Sequence, residues 1–145
     1  MARYVAVVGP GEATAEQIAD AEAVGRGLAA AGAIIVCGGL GGVMEAACRG
    51  AAEQGGTTIG LLPGADRDAA NPWVTIAIPT GLGELRNGLI VRAVDVVIAV
   101  GGGYGTLSEI GFALKTGVPV IGLGTWEIDG VQRVGSPDQA VERAT

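Results

Sequence analysis

At 145 residues and 49% apolar content, the chain is long enough to bury one sizeable core, and a single domain over residues 1–145 is expected. Lysines and arginines number 9 against 15 aspartates and glutamates, a net charge of −6. That charge argues against a broad surface for polymeric nucleic acid, whose affinity comes from neutralising many phosphates. Histidine is absent and Lys115 is the single lysine, so His-ligated zinc, His-containing triads and the commonest general base are excluded too.

Short apolar runs, each ended by glycine or proline, alternate with longer segments of helical period. The first run, Tyr4 to Val8, begins almost at the first residue with no signal-peptide layout. A helix is expected from Thr14 to Ala31, where Ile18, Ala21, Leu28 and Ala29 supply an apolar stripe and Gly32 a stop. A strand at Ile34 to Cys37 and a helix at Val43 to Gln54 follow, the latter stopped by Gly55 and Gly56. Cys37 ends an apolar run and Cys48 sits in that helix, so both read as small buried hydrophobes rather than a disulfide. Strands are expected at Thr58 to Leu62 and Thr75 to Ile78, separated by an ordered loop, Gly64 to Pro72. Then come a helix at Leu82 to Ala93, a strand at Val94 to Val100, a helix at Thr106 to Thr116 and a strand at Val118 to Gly122. Trp126 to Val134 alternates around Asp129-Gly130 and predicts a short hairpin. Ser136-Pro137-Asp138-Gln139 reads as an N-cap, a first-turn proline and a capping-box partner for a last helix to about Arg143.

Continuous rather than alternating apolar strands, interleaved with helices, predict an α/β fold: a Rossmann-like, doubly wound parallel sheet of six or seven strands with helices on both faces. No apolar run reaches the roughly 18 residues of a membrane span, and the expectation is a cytoplasmic protein with no membrane partner.

In such sheets, ligands sit beyond the carboxyl ends of the strands, where strand order reverses. Four loops occupy those ends: Gly9-Pro10-Gly11, Gly38-Gly39-Leu40-Gly41-Gly42, Pro63-Gly64, and Gly101-Gly102-Gly103-Tyr104-Gly105-Thr106. The last runs from an apolar strand into a helix start, where glycines allow close approach and unpaired N–H groups meet the positive end of the helix dipole. A phosphate-bearing small molecule is therefore expected. A Walker A lysine and the third glycine of G-x-G-x-x-G are both missing, so a dinucleotide is not favoured. Thr106 and Glu109 have two readings. Thr-x-x-Glu is a capping box, and a carboxylate beside an anion site also serves a sugar hydroxyl or a proton in transit. Arg86 and Asn87, at the head of a helix, supply a fork for phosphate and a partner for a base or ribose. Arg86 and Glu109 are expected to share one pocket because their helices follow adjacent parallel strands. No metal site is expected.

Gly101 to Glu109 resembles the P-G-G-x-G-T-x-x-E motif of the lonely guy (LOG) family, once labelled lysine decarboxylases, and Gly38 to Met44 resembles that family's other glycine motif. The resemblance runs from the first strand to Gly122. It implies a phosphoribohydrolase that releases a cytokinin-like base from a nucleoside 5′-monophosphate, not a decarboxylase, with Arg86 and Glu109 as the catalytic pair. It also implies a homodimer or a dimer of dimers. Gly101 replaces the motif proline, and Asn87 the lysine of an Arg-Lys signature. With the Gly-Thr-Trp-x-x-Asp-Gly ending, these changes look more like the sister branch of molybdenum-cofactor carrier proteins, which bind a phosphate-bearing pterin without turning it over. A carrier of a nucleoside monophosphate or molybdopterin-type cofactor is thus the leading expectation. The hydrolase is the alternative, and an interaction protein with a vestigial pocket a third. The ligand contacts expected on either reading are Gly9, Gly38, Gly39, Gly41, Gly42, Met44 and Asn87, with Gly101, Gly102, Gly103, Tyr104, Gly105 and Thr106.

Overall fold

The computed structural model describes all 145 residues and holds a seven-stranded parallel sheet with five helices, a Rossmann-like α/β fold. In chain order, the strands are β1 (Tyr4–Val8), β2 (Ile34–Cys37), β3 (Thr58–Leu62), β4 (Ile76–Pro79), β5 (Val96–Val100), β6 (Val120–Leu123) and β7 (Val131–Arg133). The helices are α1 (Ala15–Ala30), α2 (Val43–Glu53), α3 (Arg86–Arg92), α4 (Tyr104–Lys115) and α5 (Pro137–Ala144). Across the sheet, the order is β4-β3-β2-β1-β5-β6-β7. The chain therefore builds outward from β1 to one edge, crosses back, and builds outward from β5 to the other. β1 and β5 pair directly, Val5 to Val96 through Val8 to Ala99, and the order reverses between them.

The alternation of side chains along each strand decides which helices it holds. Val5 and Val7 of β1 face a core shared with Ala21, Val24 and Leu28 of α1, Ala46, Ala47 and Ala51 of α2 and Ala140 and Ala144 of α5. Ala6 and Val8 face the opposite way, onto Ile90 and Val91 of α3 and Ile110 and Ala113 of α4. With both faces covered, β5 and β6 are buried at every residue, which is why they read as continuous apolar runs.

Local chemistry sets the helix ends. Thr14 and Gln17 close a full capping box on α1, and the Ser136 hydroxyl accepts from the Gln139 N–H at the start of α5. The helix expected at Leu82 to Ala93 is split into a 3₁₀ turn, Gly83–Leu85, and α3. The expected hairpin does not form. β7 runs parallel to β6, Val120 opposite Val131, and Asp129-Gly130 only turns the chain back to the foot of the sheet. Val131 finds more apolar surface against the α3/α4 core than a two-stranded ribbon offers. Cys37 and Cys48 are free and buried, with sulfurs 3.6 Å apart.

α1 and α2 cross at very close range. A Cβ at Gly25 would overlap the Ala47 carbonyl, and one at Gly50 would overlap the Glu22 carbonyl. Backbone meets backbone there, and neither helix can yield without losing its grip on the sheet. Gly25→Ala and Gly50→Ala should each cost about 2 kcal/mol or more, despite alanine's higher helix propensity. A urea midpoint at or above that of the unsubstituted protein would contradict this account of the crossing.

Candidate functional site

A cavity of about 440 Å³ opens above the carboxyl ends of β1, β2 and β3, beside the point where strand order reverses. That volume suits a nucleotide-sized ligand. Its walls come from five stretches of chain that the sheet brings together: Val7 to Gly11 after β1, Gly38 to Met44 after β2, Pro63 after β3, Glu84 to Asn87 at the head of α3, and Gly103 to Glu109 at the head of α4.

Arg86 reaches this cavity by a route the sequence does not reveal. α3 does not follow a strand adjacent to β5, because β4 lies at the far edge of the sheet and the chain crosses back over β3 and β2. Arg86 is thereby laid over the end of β3, where its Nε–H donates to the Leu61 carbonyl at 2.8 Å. One terminal N–H donates to the Asn87 side-chain oxygen. The other terminal nitrogen lies against Gly38, where a Cβ would stand 2.6 Å from it and 2.8 Å from the Met44 sulfur. Gly38 is thus the space in which the guanidinium sits. Asn87 Nδ2 also reaches Ser108 Oγ at 3.5 Å, tying α3 to α4. Arg86 is only 8% exposed.

Glu109 faces the same cavity and is 7% exposed. Burial pushes its carboxyl up from 4.5 to about 7, and the Arg86 guanidinium only partly pulls it back. Burial likewise lowers Arg86 from its ordinary value, with Glu109 acting in the opposite sense. The guanidinium remains charged at neutral pH, while Glu109 is divided between acid and carboxylate.

The capping-box reading of Thr106 and Glu109 fails. α4 begins at Tyr104 with Gly103 as its N-cap, and no side chain caps it. Thr106 is therefore inside the first turn, and its hydroxyl is buried without a hydrogen-bond partner. The first-turn N–H groups of α4 have no side-chain acceptor either.

Of the residues the sequence singles out, Gly9, Gly38, Met44, Arg86, Asn87, Gly103, Tyr104, Gly105, Thr106 and Glu109 meet around this one cavity. Gly39, Gly41, Gly42, Gly101 and Gly102 do not line it. Gly42 has φ +65° and packs on the Pro10 and Gly11 backbone, Gly101 has φ +69° against the Gln17 side chain, and Gly39 lies over Gly60 and Leu62. These positions shape the loops from behind. Sequence reasoning missed Val7, Val8 and Glu84 as wall residues, and it placed Pro10, Gly11, Leu40 and Pro63 in the strand-end loops without naming them as ligand contacts. Position after a strand was the usable signal for the four loop residues, and nothing in the spacing foretells which loop residues turn inward. No group of three or more Cys, Asp or Glu side chains is placed to hold a metal ion.

Known proteins are similar to this chain over nearly their whole length. An uncharacterised protein of Archaeoglobus fulgidus is 42% identical over 138 residues, spanning 94% of this chain and 91% of that one. The structure of the molybdenum cofactor binding protein from Rippkaea orientalis superposes with a TM-score of 0.94 at 38% identity, covering 99% of this chain and 95% of that one. For the molybdenum cofactor carrier protein of Chlamydomonas reinhardtii, the values are 0.89 and 34%, with 99% and 96% covered. The SLOG cluster4 family model matches residues 2–145, so cavity, sheet and both glycine loops fall inside the match, and the chain belongs to the SLOG cluster4 family.

Proposed function

We propose that the protein is a carrier that binds a small phosphorylated ligand, a molybdopterin-type cofactor, in the cavity between α3 and α4. One observation carries this reading: an uncapped helix start, an unpartnered buried hydroxyl at Thr106 and a fixed guanidinium at Arg86 converge on a single cavity of ligand size. Each group offers a donor, and together they suit the oxygens of a phosphate. Relatives whose printed names state molybdenum cofactor binding or carriage support the choice of cargo. The phosphate end would take the donors of α4 and Arg86.

A nucleoside monophosphate hydrolase is the second reading, favoured by Glu109. A buried carboxyl near pKa 7 beside an arginine is poised to pass a proton to a departing base. A carrier incubated with AMP leaves it intact, whereas a hydrolase releases adenine measurable by chromatography. Homodimer formation belongs to the carrier reading as well. Leu85 is 79% exposed, and Leu82, Leu89 and Phe112 stand half-exposed on α3, its preceding turn and α4, a surface fit for a second copy. Leu85→Glu should then lower the mass seen by light scattering, and a monomer before substitution would remove the dimer from the proposal.

Calorimetric titration with GMP and with cofactor released from a denatured molybdoenzyme tests the binding site. Arg86→Ala should weaken both by about 1.5–3 kcal/mol, the worth of a charge-assisted hydrogen bond. Gly103 has an extended backbone, and the nearest atom to a Cβ there is 3.9 Å away, so Gly103→Val should fold normally yet abolish binding by filling the mouth. Unchanged affinity in the folded valine protein would refute the placement.

Glu109 also sets a pH dependence of stability. Its carboxyl binds a proton more tightly folded, at about 7, than at the ordinary 4.5, so folding is favoured at low pH and loses stability as pH rises from 4.5 through 7. The loss is at most roughly 3 kcal/mol. Urea midpoints at pH 5 and pH 8 should therefore differ more in the unsubstituted protein than in Glu109→Gln, and an equal difference would contradict the buried-acid assignment.

A further inference from the structure

The cavity wall combines the charged side chains of Glu84, Arg86 and Glu109 with one aromatic ring, that of Tyr104. The whole chain holds two tryptophans, two tyrosines and one phenylalanine. One tyrosine and one tryptophan, Tyr104 and Trp126, stack on each other, with ring centroids 6.3 Å apart and planes 28° apart. Tyr104, the first residue of α4, lines the cavity and is 85% exposed. Trp126 belongs to the loop after β6, and its indole N–H donates to the Gly103 carbonyl at 3.1 Å. The chain at Gly102 passes so close that a Cβ there would stand 2.9 Å from the same indole nitrogen. Trp126 is thereby locked to the glycine loop and backs one face of the tyrosine.

Leaving the Tyr104 ring 85% exposed forgoes the free energy of burying it, and the hydrogen-bonded Trp126 gives that ring a fixed neighbour to rest on. The arrangement gains from a flat partner. The phosphate donors are at Arg86 and the α4 start, and Tyr104, the first residue of α4, stands next to them in the same wall, within reach of the rest of a phosphorylated ligand. Tyr104 is the only aromatic residue among the cavity's walls.

We propose that Tyr104, backed by Trp126, is the stacking platform for the flat heterocycle, pterin or purine, of the ligand, and so the residue that selects ring-bearing phosphates over bare sugar phosphates. The proposal rests on reading the cavity as a phosphate-ligand site. Stacking needs only a π face, so the platform would accept a pterin as readily as a purine and leave finer choice to polar groups.

Two probes separate the proposal from its foundation: GMP, which carries a ring, and ribose 5-phosphate, which does not. In calorimetric titrations, Tyr104→Ala should lose about tenfold or more in GMP affinity while ribose 5-phosphate binding stays within about twofold, and Tyr104→Phe should keep both. Equal losses for the two probes would mean that Tyr104 shapes the phosphate loop, and would overturn the stacking role. Unchanged GMP affinity in Tyr104→Ala would overturn it as well, with the phosphate site left standing. Binding of neither probe by the unsubstituted protein would overturn the phosphate reading and this proposal together.

Discussion

The site is organised by the burial of one guanidinium. A charge at 8% exposure is tolerated only where hydrogen bonds replace its water, and Arg86 finds those bonds in the Leu61 carbonyl and the Asn87 side chain. Seating it requires a glycine at the end of β2, because a Cβ at Gly38 would stand 2.6 Å from the guanidinium. It also requires α3 to return over β3 rather than run out from the sheet edge. Glu109 answers the charge incompletely. The desolvation that raises its carboxyl to about 7 outweighs the pull of Arg86, so near neutral pH the pair carries a net positive charge part of the time. Glu84, in the same wall, is a further carboxylate that acts on the guanidinium.

Among the 27 glycines of this chain, several do one of two different jobs. Some leave room at the cavity: Gly38 for the guanidinium, and Gly103 for open space beside Pro10. Others let backbone meet backbone, at Gly25 and Gly50 where α1 crosses α2, and at Gly42 where the second glycine loop rests on the first. The second group holds the two loops in register with one another. A cavity wall assembled from five chain segments keeps its shape only if the loops behind it cannot drift, and close contact between loops supplies that rigidity.

Much of this was readable from residue order. Continuous apolar runs at Tyr4 to Val8 and Val96 to Val100 announce strands covered on both faces, because only a sheet with helices on each side removes the need for alternation. The strand-glycine-helix junction at Gly101 to Thr106 announces a helix start open to an anion. The failures have equally local causes. Thr106 and Glu109 match the spacing of a capping box, but spacing does not say where a helix begins, and α4 begins two residues earlier. Asp129-Gly130 matches a hairpin turn, but β7 gains more by adding to the sheet edge than by folding back on Trp126.

The sequence by itself determined the α/β architecture, the loops at strand ends and many of the residues that line the cavity, since each follows from periodicity or from chemistry carried within a few neighbouring positions. Only the tertiary structure decided which of those residues meet. Arg86 and Glu109 face one cavity because β4 takes the far edge and the following helix must cross back, and Gly39, Gly42, Gly101 and Gly102 turn away from it because other segments press against their backbones. Strand order and loop-on-loop contact are properties of segments distant in the chain. They are settled by the burial of both sheet faces at once, a condition that no local pattern records.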